Sequence, residues 1–239
     1  MSGTIMMKRN YSHIKACVCV VLLLFMVGTA VAQENIVTAA EFFRQVGTRY
    51  EDIDDYTAAI SMRRGDTVMS GDMYYRHPNL LRINFRRPEE QVLVTDGSTL
   101  TLYIPALDVT MQQSLSGRQQ DEEITALATR EGLGLLRRLY SVSYLEGPTP
   151  VPLEEGSNEM VTKLRLTWRS PSEGFREIIV SVGSDMMIRR MVGTTVSYDE
   201  VRLDFTEIQV NQNLTAEQFE YRSPPSANRF HNFLFGAEN

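Results

Sequence analysis

From Asp72 to Pro105 the chain reads D-M-Y-Y-R-H-P-N-L-L-R-I-N-F-R-R-P-E-E-Q-V-L-V-T-D-G-S-T-L-T-L-Y-I-P. Apolar and polar positions alternate, and a Pro or an Asp-Gly interrupts them every few residues. That period predicts short antiparallel strands joined by tight turns. Leu81, Ile83 and Phe85 fall on one face, with Arg82, Asn84 and Arg86 on the other. Val92-Leu93-Val94 opens the next strand, and Asp96-Gly97 marks a hairpin. Leu100, Leu102 and Ile104 then share a face. Asp108 to Gln113 predicts one strand more.

The flanking sequence supplies the other elements. Thr38 to Tyr50 predicts a helix in which Thr38 and Glu41 form a capping box. Ala39, Phe43, Val46 and Tyr50 fall on one stripe of it. Strands follow at Tyr56 to Arg63 and Thr67 to Tyr75. Arg64-Gly65-Asp66 between them reads as a hairpin turn that uses glycine for positive φ, rather than as an adhesion tripeptide. Between Asp121 and Tyr140 the period changes. Asp121, Glu122 and Glu123 suit a helix start, and Ile124, Leu127 and Ala128 continue an apolar side. Gly132 and Gly134 interrupt it before Leu135, Leu136 and Leu139 resume it. Two short helices with a flexible joint are expected there. Strands return at Ser141 to Glu146, Met160 to Arg169, Arg176 to Val182, Ile188 to Val192 and Ser197 to Val210. Gly147 to Ser157 reads as a loop. The pattern as a whole predicts a mainly β fold with some α: one large curled antiparallel sheet whose apolar side must be covered.

The first residues read as a targeting segment. Lys8, Arg9 and Lys15 precede an apolar run from Ala16 to Ala30, and Ala30-Val31-Ala32 has the small-x-small form of a cleavage site. The expected organisation is a cleaved signal peptide over residues 1–32 and a single domain over 33–239. The apolar run is short for a membrane anchor, which needs about 20 residues. Both cysteines, Cys17 and Cys19, lie in the removed part, so the exported chain is held by its core rather than by disulfides. Cleavage also removes three of 24 Lys+Arg and none of 30 Asp+Glu, leaving a net charge of −9. That charge argues against a nucleic-acid partner and against tight non-specific adhesion to anionic membranes. The remaining cations are nearly all Arg, with Lys163 the single exception.

No set of residues satisfies a catalytic or metal template, so no enzymatic role, catalytic residue, metal or cofactor is expected. His77 and His231 are the two histidines left after cleavage, and neither has ligand spacing around it. No G-x-S-x-G elbow is present. Gly132-Leu-Gly134 follows a helical stretch rather than a strand, which is the wrong setting for a phosphate cradle. Glu122 and Glu123 suit helix-start charges. Two readings of the apolar sheet face stay open: an ordinary core packed by the helices, or the lining of a cavity with the helices as a lid.

The run R-H-P-N-L-L-R-I-N-F followed by R-P-E-E-Q-V-L-V-T-D-G-S-T-L-T-L-Y-I-P resembles the periplasmic outer-membrane lipoprotein carrier (LolA) family. Asn213-Leu214, Phe219, Tyr221 and Pro224-Pro225 resemble that family's closing strand and Pro-containing tail. The resemblance implies an unclosed antiparallel β-barrel with a helical lid over an apolar cavity. It implies a periplasmic chaperone, expected to be monomeric, that takes acylated lipoproteins from an inner-membrane ABC transporter to an outer-membrane acceptor. Leu81, Ile83, Phe85, Leu93 and Leu102 would then line the acyl cavity. Phe43 and Val46 on the first helix, and Leu127 and Leu136 in the lid, would press on it. The family carries Arg directly before the Pro, whereas this chain has His77 there and Arg76 one position earlier. One step along a strand reverses the side-chain direction, so Arg76 does not simply substitute for that Arg, and His77 and Arg76 are both candidates for a lid or transfer switch. Two alternatives are a lipid- or lipoprotein-binding sensor on the same fold and a small lipid hydrolase.

Overall fold

The computed structural model describes residues 37–115, 128–171 and 174–231. The proposed signal peptide, the stretch 121–127 and with it Leu127 lie outside the described residues.

Thr38 begins helix α1 (Ala39–Glu51) as its N-cap, its Oγ1 accepting the Glu41 N–H at 3.2 Å. The return half of the capping box does not form. Glu41 instead accepts from Arg44 and Gln45, and these bonds hold its carboxyl down to about 2. Ala39, Phe43, Val46 and Tyr50 are the buried stripe, as the spacing predicts.

Two hairpins and their extensions follow: β1 (Asp55–Arg64), β2 (Thr67–Arg76), β3 (Leu80–Arg87), β4 (Val92–Asp96), β5 (Thr99–Ile104) and β6 (Val109–Ser114). The Asp-Gly hairpin works through both residues. Gly97 takes φ +92°, a value costly for any side chain, and the Asp96 carboxylate accepts the Ser98 and Thr99 N–H groups at 2.9 Å each. After α2 (Arg130–Leu139) come β7 (Tyr140–Tyr144), β8 (Val151–Pro152), β9 (Met160–Trp168), β10 (Phe175–Gly183), β11 (Ile188–Thr195), β12 (Glu200–Val210) and β13 (Asn228–His231).

The strands form one 13-stranded sheet in the order β13-β6-β5-β4-β3-β2-β1-β12-β11-β10-β9-β7, with β8 beside β9. Pairing is antiparallel except for β13, which joins β6 in parallel. The sheet is open and curved. Its inner face and the apolar sides of α1 and α2 form one core, which includes Tyr56, Met73, Leu164, Leu166, Val180 and Phe205.

Three expectations need correction. Gly132 and Gly134 do not break the mid-chain helix, because α2 runs through both. Each glycine costs roughly 1 kcal/mol against Ala. Burial of Leu133, Leu135 and Leu136 and the Thr129 cap on the Gly132 N–H at 3.1 Å outweigh that cost. The loop at Gly147 to Ser157 contains β8, too short to leave a periodic trace. The region resembling a closing strand is instead a strap with a 3-10 turn at Ala216–Phe219, and the last strand is β13, further on.

Candidate functional site

Cross-strand register shows what the inner face is made of. Met73, Ile83, Leu93, Leu102 and Met111 are successive partners across β2 to β6, and Tyr75, Leu81, Thr95 and Leu100 form the adjacent row. Directly paired residues point to the same side, so all five residues expected to line the cavity share one face. Their surroundings differ. Leu81 and Ile83 are buried in the core with Phe43, Val46 and Leu136. Phe85 and Leu93 are half-buried and pack against that core. Leu102 is half-buried and lies outside it. Val46 has no exposed surface at all. Beneath α1 and α2 the sheet is thus filled by the protein's own side chains.

Polar contacts hold the start of α2 to the sheet. The Tyr56 hydroxyl, deep in the core, donates to the Ala128 carbonyl at 2.6 Å. The Tyr75 hydroxyl lies 3.0 Å from Glu131 Oε2 and 3.2 Å from the Pro78 carbonyl oxygen. On the other side of that carboxylate, His77 Nδ1 stands 3.6 Å from Glu131 Oε1, with both side chains about 40% exposed (40% and 37%). Backbone pairing fixes His77 from behind, its N–H donating to Asp54 O at 2.8 Å. Arg76 pairs with Asp55 and Leu80 on the opposite side of the pleat from Tyr75. The structure therefore brings His77, and not Arg76, to the start of α2.

Burial pushes the Tyr56 phenol well above its ordinary pKa, and Tyr50 is raised for the same reason. Tyr75 is raised first by burial and then by the negative charge of Glu131. Tyr50 anchors α1, its hydroxyl accepting the Ile188 N–H at 3.1 Å. The tyrosine rings meet in the core, Tyr50 edge-on to Tyr56 at 6.1 Å and Tyr56 tilted against Tyr75 at 5.4 Å between centroids. Sequence reasoning did not single out Tyr56, Tyr75 or Glu131. In the structure Tyr56 shares its face of β1 with Ala58 and Ile60, and Tyr75 its face of β2 with Met73; a hydroxyl on such a face needs a partner.

The outer face of the same strands carries a second, smaller arrangement. The strap after β12 is started by Asp55, a buried carboxylate that accepts the N–H groups of Gln212 at 2.6 Å and Leu214 at 3.0 Å. Phe219 is buried beside Val94, and Arg82 donates to the carbonyls of Gln218 and Glu220. A cleft of about 220 Å³ between strap and sheet is lined by Thr99, Thr101, Glu220 and Arg222 among others. Its lining mixes these polar groups with Val94, Phe219 and Tyr221, unlike the apolar inner face. Among the described residues, no group of three or more His, Cys, Asp or Glu converges as a metal site would require.

The family pattern described as "Outer membrane lipoprotein carrier protein LolA" matches residues 61–222. The chain belongs to the LolA family. An outer-membrane lipoprotein carrier protein of Azotobacter vinelandii is 27% identical over 158 residues, covering 65% of this chain and 68% of that protein. An uncharacterized conserved protein from Thermus thermophilus shares the fold at a TM-score of 0.53 with 17% identity, over 79% of this chain and 98% of that one. In the Pseudomonas aeruginosa MucA/MucB complex the likeness has a TM-score of 0.50 at 11% identity, over 80% of this chain and 62% of that one. The LolA description is that of a carrier rather than an enzyme. Among the described residues of this LolA-family chain, no helix is long and apolar enough to cross a membrane.

Proposed function

We propose that this chain is a periplasmic chaperone that shields the acyl chains of lipoproteins against the inner sheet face and carries them from the inner to the outer membrane. An inner-membrane ABC transporter would load it and an outer-membrane acceptor would unload it. The observation that carries the reading is the inner face itself: a largely apolar surface on an open sheet, roofed by two helices that a few polar contacts tie to it. Leu81, Ile83, Phe85, Leu93 and Leu102 form its floor, Phe43, Val46 and Leu136 its roof, and His77 with Glu131 its exposed fastening.

The packed core sets the energetics. Two sixteen-carbon chains buried completely contribute on the order of 20 kcal/mol gross, at about 0.8 kcal/mol per methylene. Room for them comes from displacing the roof. Uncovering Phe43, Val46, Leu133 and Leu136 to water costs about 6–12 kcal/mol. Cargo thus replaces packing that already exists, which keeps the net affinity within reach of release. Transporter ATP hydrolysis offsets the cost of opening.

The test is mass spectrometry of lipid bound to protein purified from the periplasm, for the wild type and for Leu136→Glu. Intact acylated cargo on the wild type and loss of loading by the variant, with secretion unchanged, is expected. Normal loading by Leu136→Glu refutes the roof assignment. A second reading, a lipid- or lipoprotein-binding sensor, takes its support from the fold shared with the MucA/MucB complex. Stable co-purification of one membrane partner, with no transfer of cargo, selects it. Released fatty acid instead of intact lipid selects a hydrolase.

A further inference from the structure

The inner face is unevenly filled. Beneath α1 and α2 it is packed, but on β5 and β6 Leu102 and Met111 are half-buried and stand outside the packed core. The other side of the same two strands has its cover, since the strap lays Tyr221 against Tyr103 with ring centroids 6.2 Å apart.

Phe230 carries the open row on to the edge of the sheet. β13 pairs in parallel with β6, and Asn228 at its start donates its N–H to Asp108 O at 2.9 Å. Phe230 is the partner of Met111, and Met111 the partner of Leu102. Paired residues share a face of the pleat, so Phe230 faces the inner side, and Arg229 and His231 face the outer one. Phe230 is 55% exposed. The apolar row thus does not fade toward the edge but ends on a large ring, which leaves more surface to be kept from water.

The chain carries a segment that fits this surface. Residues 232–239, outside the described residues, read N-F-L-F-G-A-E-N. Phe233, Leu234 and Phe235 follow His231 by two to four positions. At about 3.3–3.6 Å per residue they reach roughly 7–14 Å from it. Strands lie about 4.8 Å apart, which puts Met111 about 5 Å and Leu102 about 10 Å in from β13. Three large apolar residues in succession are disfavoured in water, and the surface within their reach is the uncovered row. So short a tether holds them there at an effective concentration on the order of millimolar. The match to the LolA pattern ends at residue 222, so β13 and the segment after it both lie beyond it.

We propose that Phe233, Leu234 and Phe235 fold back over Phe230, Met111 and Leu102 and occlude the open end of the inner face. The segment then competes with apolar cargo for that end of the floor, a consequence that rests on the carrier reading. It shields the face while the protein is empty and lowers the apparent affinity for cargo without any change in the floor itself.

Disulfide trapping tests the occlusion, because residues 33–239 contain no cysteine. Leu234→Cys is combined with Leu102→Cys or Met111→Cys on the inner side, or with Gln112→Cys, the neighbour of Met111 that faces the other way. In protein purified from the periplasm, both inner pairs should close within one chain about tenfold faster than the outer pair. Phe233→Ser with Phe235→Ser leaves the described fold untouched. It should raise the fluorescence of anilinonaphthalene sulfonate about threefold or more, because the row is uncovered. A synthetic tripalmitoylated lipopeptide should bind that variant about tenfold more tightly than the wild type. Equal or faster closure of the outer pair, disulfides formed only between two copies, or dye fluorescence that stays level or falls overturns the proposal. Equal lipopeptide affinity overturns the competition with cargo. If the lipopeptide binds neither chain, the carrier reading falls and the competition with it, while the disulfide and dye results still decide the occlusion.

Discussion

Replacing Tyr56 with Phe removes one hydroxyl from the core and leaves the ring that packs there. The hydroxyl donates to the Ala128 carbonyl at 2.6 Å, and both residues are fully buried. Without it that carbonyl has no water to turn to, and stranding a buried acceptor costs about 1–3 kcal/mol. The loss falls on the start of α2, because the other end of the bond is a strand held on both sides. Backbone amides of α2 should therefore exchange with solvent roughly 5- to 100-fold faster, while β1, β2 and β12 change little unless exchange is through global unfolding. Hydrogen exchange by mass spectrometry on peptides covering Arg130 to Leu139 and Asp55 to Arg64 reads both. On the carrier reading, cargo loading becomes easier in the same variant, since the roof opens at lower cost. Equal acceleration in helix and strands, or none in the helix, refutes the argument that the tyrosine acts as a local fastening.

Further expectations follow from other contacts. Asp55→Ala strands the N–H groups of Gln212 and Leu214; a stability loss of about 1.5–3 kcal/mol in urea melts and earlier proteolysis between Gln212 and His231 are expected. In Gly71→Ala the new methyl meets the Asn84 carbonyl and the Phe85 backbone. Because backbone on β3 cannot yield as a side chain would, a loss of about 1–3 kcal/mol follows, measurable as a lower denaturation midpoint. The alkaline limb is set by tyrosines. Tyr50, Tyr56 and Tyr75 are raised above 10.0 by burial, so the folded state keeps protons that the unfolded state releases. Their stabilisation is complete below pH 10 and is lost above it, at about 1.4 kcal/mol per pH unit for each. Tyrosinate absorbance should rise together with loss of ellipticity, and tyrosinate formed in a still-folded protein would contradict this.

Legibility in the sequence followed the range of the forces involved. The α1 stripe and strands β1 to β6 were readable because period and turn chemistry are local: Asp96 and Gly97 carry their own instructions, as do Thr38 and the residues after it. The α2 glycines misled for the opposite reason. Local propensity marks Gly132 and Gly134 as breaks, but burial of Leu133 and Leu136 against strands far along the chain decides the outcome. The five floor residues shared a face because register follows alternation. Which of them lie under helix and which stand half-open depends on where α1 and α2 cross the sheet, and no periodicity encodes that. The contact between His77 and Glu131 spans 54 positions by number and is invisible to a one-dimensional pattern. Strand β13 escaped notice because four exposed residues have no apolar face to announce them.

The order of the strands has a mechanical consequence. Among the described residues, β13 and β7 end the sheet and do not pair with each other. A ladder that closed on itself would fix the girth of the molecule by hydrogen-bond geometry, and any change in enclosed volume would break backbone bonds. An unjoined seam lets the wall flex like a cuff, so that its inner volume adjusts through side-chain repacking while every rung of the ladder stays intact.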